Sequence, residues 1–193
     1  SSFILDIPEY WDDFTTFAPK VTTSSSSGEI LLSAVALGSY DNIEHAKAIL
    51  SALLLQNGNN VVARDEFSGD YYSTLAFQDG FDIAAAQAFD FYTSFAQFGT
   101  NTYSWNEALI DAQSKFIAGE VAVYFGRASE AEEIRRKNPN LDFGVSLFPQ
   151  LRSNNVRITQ GSMLGVGIAK QTQNITGSFA VASNLAGGDF SSF

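Results

Sequence analysis

Two stretches of this chain combine aromatic and polar side chains in a way that suits ligand recognition. Tyr103-Ser104-Trp105-Asn106 sets two aromatic rings and two polar groups just ahead of a helix start. Flat aromatic faces stack on the C–H faces of sugar rings, while amides and hydroxyls bind ring hydroxyls. The competing reading makes Trp105 a core plug beside a helix cap. Phe125-Gly126-Arg127-Ala128-Ser129 reads as a strand-to-helix turn. Such turns open the carboxyl edge of an α/β sheet, where ligands of these folds bind. The unpaired N–H groups of the next helix favour polar or anionic groups there. Arg127 therefore starts from the rim of a cleft, with Tyr124 just before it. Its competing role is an exposed ion pair with Glu130 or Glu133, which is worth little.

The remaining chemistry-bearing residues point less far. His45 is the single histidine. It falls inside a helical stretch with no nucleophile signature nearby, so a surface or helix-packing role is expected. A metal site built on one histidine needs several carboxylates at loop spacing, and none are so spaced. No metal and no cofactor are expected. Glu107 and Glu120 read as a capping residue and a strand-edge residue. A carboxylate pair for glycoside hydrolysis is assembled only by the fold, so a carbohydrate-active hydrolase remains the alternative function. Gly161, Gly165 and Gly167 lack the GK[ST] and the following helix of a phosphate loop and read as a bent strand.

The elements that must position these groups alternate between helices and short strands. Pro8 suits a first helical turn and opens a helix to about Ala18, with Trp11, Phe14 and Ala18 on one face. Thr22 to Gly28 is a serine-rich loop, and Glu29 to Leu37 an apolar strand. Asp41 and Glu44 have capping-box spacing for a second helix, which Asn57-Gly58 ends. Asn59 to Gly80 is irregular and polar. A third helix spans about Asp82 to Phe98. Ser104 and Glu107 form a capping box for a fourth, which Gly119 stops. Val121 to Phe125 is a buried strand. Ser129 and Glu132 cap a fifth helix that ends at Asn138-Pro139. Phe143 to Phe148, Asn155 to Thr159 and Leu164 to Ala169 read as strands, and Ile175 to Leu185 as the last helix. The fold class expected is α/β and helix-rich, in one domain over residues 1–193, with no internal repeat or linker.

Composition removes several function classes. The net charge is −10 with 11 Lys and Arg in all, too few for a nucleic-acid footprint. The basic run Arg135-Arg136-Lys137 follows Glu130, Glu132 and Glu133, which matches a helix macrodipole. Acidity also opposes adhesion to an anionic membrane. The chain has no cysteine, which removes disulfides, thiolate sites and a cysteine nucleophile. No apolar run reaches the length of a membrane span. Aromatic residues make up 13%, enough to fill a core and line a site besides.

Four segments, in this order, resemble the C-terminal lobe of bacterial extracellular solute-binding proteins of ABC importers, sugar-binding (maltose-binding-protein-like) type. They are IPEYWDDF (Ile7 to Phe14), ALGSYDNIEHAKAILSALLLQNG (Ala36 to Gly58), AFDFYTSFAQ with NTYSWN (Ala88 to Asn106), and FIAGEVAVYFGRASEAEEIRRKNPNLDFGVSLFPQ (Phe116 to Gln150). Gly161 to Ala169 and Ile175 to Leu185 resemble the glycine-bearing strand and closing helix of that lobe. Two positions depart from the family pattern. Arg127 and Gln160 stand where the family often carries aromatics, which makes the pocket more polar and admits a carboxylated sugar.

The resemblance implies a periplasmic-binding-protein type II-like lobe that captures a small polar ligand, a sugar or oligosaccharide, without catalysis. Trp105, Tyr103, Asn106, Arg127, Gln160 and Tyr124 are the expected ligand contacts. The implied partners are an ABC permease and an N-terminal lobe absent from this chain. The lobe is expected to be monomeric, outside the cytoplasm, and tethered by an N-terminal lipid beyond this segment, with no nucleic-acid partner and no membrane insertion of its own. A site shared between two lobes leaves a single lobe binding sugar weakly or not at all.

Overall fold

The computed structural model describes residues 7–77, 80, 81, 83–159, 161 and 165–187. Gln160, and with it one expected ligand contact, lies outside the described residues. The fold is mixed α/β. The chain forms two compact units, residues 1–160 and 161–193.

The larger unit is organised around β2 (Ile30–Val35), the apolar strand expected from Glu29 to Leu37. It pairs antiparallel with β1 (Thr23–Ser24) and parallel with β7 (Val121–Val123), Ser33 facing Val121 and Val35 facing Val123. Helix α1 (Asp13–Val21) packs against β2. It begins later than Pro8 because the backbone of Glu9 and Trp11 is committed elsewhere. Trp11 N–H donates to the Gln150 carbonyl, and Gln150 N–H to the Glu9 carbonyl, both at 3.1 Å.

Helix α2 (Ala46–Gln56) and α3 (Ile83–Ser94) pack together. Between α2 and α3 lie two small hairpins, β3 (Val62–Arg64) with β4 (Tyr71–Ser73) and β5 (Ala76–Phe77) with β6 (Gly80–Phe81). Helix α4 (Ala112–Ile117) leads into β7, and α5 (Glu130–Lys137) follows it. Trp11, Phe14, Leu37, Ile49, Leu53, Phe95 and Trp105 are fully buried and form the centre of the core.

Two polar side chains fasten long loops to this core. Gln56, at the end of α2, accepts from Trp11 Nε1 at 2.8 Å and donates to the carbonyls of Pro149 and Ile158 at 3.0 and 2.8 Å. Asn42 accepts from Trp105 Nε1 at 2.9 Å and donates to the carbonyls of Asn106 and Leu109. Both residues satisfy buried groups that would otherwise be left unpaired at a cost of ~1–3 kcal/mol each. Gly38 sits at φ +99°, and a Cβ there would lie 2.5 Å from the Ala96 backbone nitrogen. Only glycine lets the chain leave β2 so close to the end of α3.

Three expected strands are absent as strands. Residues 143–148, 155–159 and 165–169 have no ladder partner among the described residues, and Leu164 lies outside them. Their alternating apolar residues fit a pleated surface, but strand identity needs a paired neighbour. The expected capping box at Ser104 and Glu107 is also replaced. Ser104 Oγ donates instead to the Val35 carbonyl at 3.0 Å, and α4 starts at Asp111, whose carboxylate accepts from Ser114 N–H at 2.8 Å.

In the smaller unit the described residues form an irregular stretch and α6 (Ile175–Gly187), close to the expected last helix. Asn174 Oδ1 accepts from Gly177 N–H at 2.8 Å, an N-terminal cap.

Candidate functional site

A cleft of about 650 Å³ runs along β7 and past its carboxyl end. One wall is β7 with the turn through Gly126 and Arg127. The other is the extended segment 141–149. That segment runs beside the chain around β7: Leu141 lies by Gly119, and the rings of Phe125 and Phe148 are 5.5 Å apart. Aromatic rings shape the middle of the cleft. Phe116 stacks on Tyr124 at 5.6 Å and meets Phe143 edge-on at 5.7 Å.

Two of the expected contacts line this cleft, Tyr124 and Arg127. Arg127 is exposed, and its guanidinium makes no hydrogen bond or ion pair among the described residues. The acids expected to compete for it are engaged elsewhere. Glu133 pairs with Lys137 at 2.8 Å, and Glu130 with His45. Three other expected contacts sit away from the cleft. Trp105 is 0% exposed, so neither face of its indole is open for stacking, and it plugs the core with its N–H on Asn42. Tyr103 and Asn106 are half-buried beside it and bond to each other, Asn106 Nδ2 donating to the Tyr103 hydroxyl at 2.8 Å.

Behind Tyr124 lies a polar cluster that the sequence reading treated as helix surface. His45, at the start of α2, has Nε2 2.6 Å from Glu130 Oε1. The Tyr124 hydroxyl donates to Glu130 Oε2 at 2.8 Å, and Gln113 approaches the same oxygen at 3.4 Å. One carboxylate thus ties together α2, α4, β7 and α5. Burial pushes the Glu130 carboxyl up, but hydrogen bonds from Tyr124 and His45 and the charge of His45 together hold it below its ordinary value. Burial and the Glu130 charge push the Tyr124 hydroxyl well above its ordinary value, so it stays a donor. Gly126 is required here by contact. A Cβ on it would stand 2.5 Å from Tyr124 Cε1 and 2.8 Å from Glu130 Oε2.

Nearby, Glu44 and Asp111 act on one another electrostatically. Burial and the Asp111 carboxylate raise Glu44 above its ordinary value. For Asp111, burial acts upward, but the Ser114 amide and hydroxyl prevail and lower it. Neither residue lines the cleft.

Sequence reasoning missed Asp142, Phe116 and Phe143 as cleft residues. The spacing of Phe143, Val145 and Leu147 was visible, but its placement along β7 is a tertiary fact. The chain matches no protein-family model, no curated protein and no solved structure. Among the described residues, no helix is long and apolar enough to cross a membrane.

Proposed function

We propose that this chain is the C-terminal lobe of a two-lobed extracellular solute-binding protein, of periplasmic-binding-protein type II-like fold. It captures a small polar ligand, a sugar or oligosaccharide, and hands it to an ABC permease without catalysis. The observation that carries this reading is the cleft that runs along β7 and past its carboxyl end, with Tyr124 and Arg127, which has no ion pair among the described residues, in its lining. Crevices at that edge are where open α/β folds bind ligands. Aromatic walls with few polar groups are the ordinary make-up of such sites. The four sequence segments described above supply the family context.

The hydrolase alternative requires two carboxyls facing one another across a cleft, roughly 5–9.5 Å apart. Asp142 is the one carboxylate among the described lining residues, and the Glu44–Asp111 pair lies outside the cleft. No observation favours that reading.

The test is amide chemical-shift mapping of the 193-residue chain against a panel of neutral and acidic sugars at millimolar concentration. Saturable shifts in Val121 to Arg127 and Leu141 to Phe148 are expected. Saturable shifts confined to residues outside these two stretches contradict the capture role of this cleft.

A further inference from the structure

The charges of the cleft specify more than a polar solute. Its charged lining residues are Arg127 and Asp142. Arg127 follows β7, whereas Asp142 follows Leu141, which lies beside Gly119 ahead of β7. The strand runs between them, so the cation and the carboxylate occupy opposite ends.

Among the described residues Arg127 has no ion-pair partner, although the chain carries 21 Asp and Glu. Its neighbours in α5 are each paired: Glu130 with His45, Glu132 with Arg135 at 3.4 Å, and Glu133 with Lys137. An arginine beside three acids would ordinarily be neutralised by one of them. Here the His45–Glu130–Tyr124 cluster engages one of these acids, and Arg127 lines the cleft unpaired among the described residues. A planar guanidinium matches a carboxylate bidentately, and an uncharged hydroxyl uses only part of its fork. Asp142 at the far end accepts hydroxyl protons, and the Phe116 and Phe143 rings between them meet C–H faces.

Resting on the capture reading above, we propose that this cleft selects a uronic-acid sugar, its carboxylate on Arg127 and its hydroxyls toward Asp142. The charge of Asp142 then works against an anion placed the wrong way round, which fixes the ligand's direction in the cleft.

The experiment titrates the labelled 193-residue chain and its Arg127→Ala and Arg127→Lys variants with glucuronate, glucose and glucose 6-phosphate, reading amide shifts. The expected result is that glucuronate binds about tenfold or more tighter than glucose, the scale of a charge-assisted hydrogen bond. Arg127→Ala removes that preference, and lysine, which keeps the charge without the fork, restores part of it. Equal affinities for glucuronate and glucose, or a preference that survives Arg127→Ala, overturn the proposal and leave the capture reading standing. Tighter binding of glucose 6-phosphate overturns the carboxylate assignment. Saturable shifts that fall outside Val121 to Arg127 and Leu141 to Phe148 overturn both.

Discussion

His45 and Glu130 are 85 residues apart in sequence, yet an imidazole nitrogen of one lies 2.6 Å from a carboxylate oxygen of the other. The contact joins the start of α2 to the first turn of α5, and Tyr124 completes it from the end of β7. The cleft rim is thereby fixed to the core. Gly126 makes the arrangement possible, since any side chain there collides with both Tyr124 and Glu130.

Glu130→Gln tests what this cluster contributes. The folded carboxyl is held below its ordinary value of 4.5. A depressed carboxylate stabilises the fold above its unfolded value and loses that contribution as pH falls through the folded one. The variant should therefore be about 1–3 kcal/mol less stable near neutral pH, as for a hydrogen bond to a charged partner. The gap between it and the parent should shrink as pH falls from 4.5. Denaturant melts across that range measure it, and a gap independent of pH contradicts the assignment.

Trp105 is expected to matter for stability and not for binding. Trp105→Ala should cost about 3–5 kcal/mol, the range for truncating a buried aromatic. Trp105→Phe keeps most of the packing but strands the Asn42 oxygen, so it should cost less, about 1–3 kcal/mol. Melting temperature beside sugar affinity separates the two roles. A stable variant with lost affinity would return Trp105 to the binding site.

Gly38→Ala should be among the most disruptive small changes in the chain. Its left-handed backbone costs a non-glycine residue about 1–2 kcal/mol, and a methyl group there presses into the backbone at Ala96. Overpacking of that kind adds about 1–3 kcal/mol. Melts of this variant beside Gly58→Ala, where the same positive φ has open space around it, isolate the contact from the backbone strain.

Local signals marked the helices well. Of the apolar stripe Ala46, Ile49, Leu50, Leu53 and Leu54, all but the half-buried Leu50 are buried in α2. The acidic start and basic finish of α5 follow its dipole. What depends on distant partners was less legible. The segment Phe143 to Phe148 alternates like a strand, but whether it gains ladder bonds depends on the β7 edge more than twenty residues earlier. His45 looked like an ordinary helix residue because nothing near it in sequence names Glu130. Trp105 looked suited to stacking because its real partner, Asn42, is 63 residues away. Arg127 was readable from the strand–glycine–helix turn, but its freedom from Glu130 and Glu133 follows only from the pairs those acids make.

The central claim is that ligand enters along β7 and not at the Tyr103 to Asn106 loop. Amide hydrogen exchange of the 193-residue chain, with and without saturating glucuronate, distinguishes these directly. Slowed exchange across Val121 to Ala128 and Leu141 to Phe148, with Tyr103 to Asn106 unchanged, is the predicted result. Protection confined to Tyr103 to Asn106, or no protection at saturation, would contradict it.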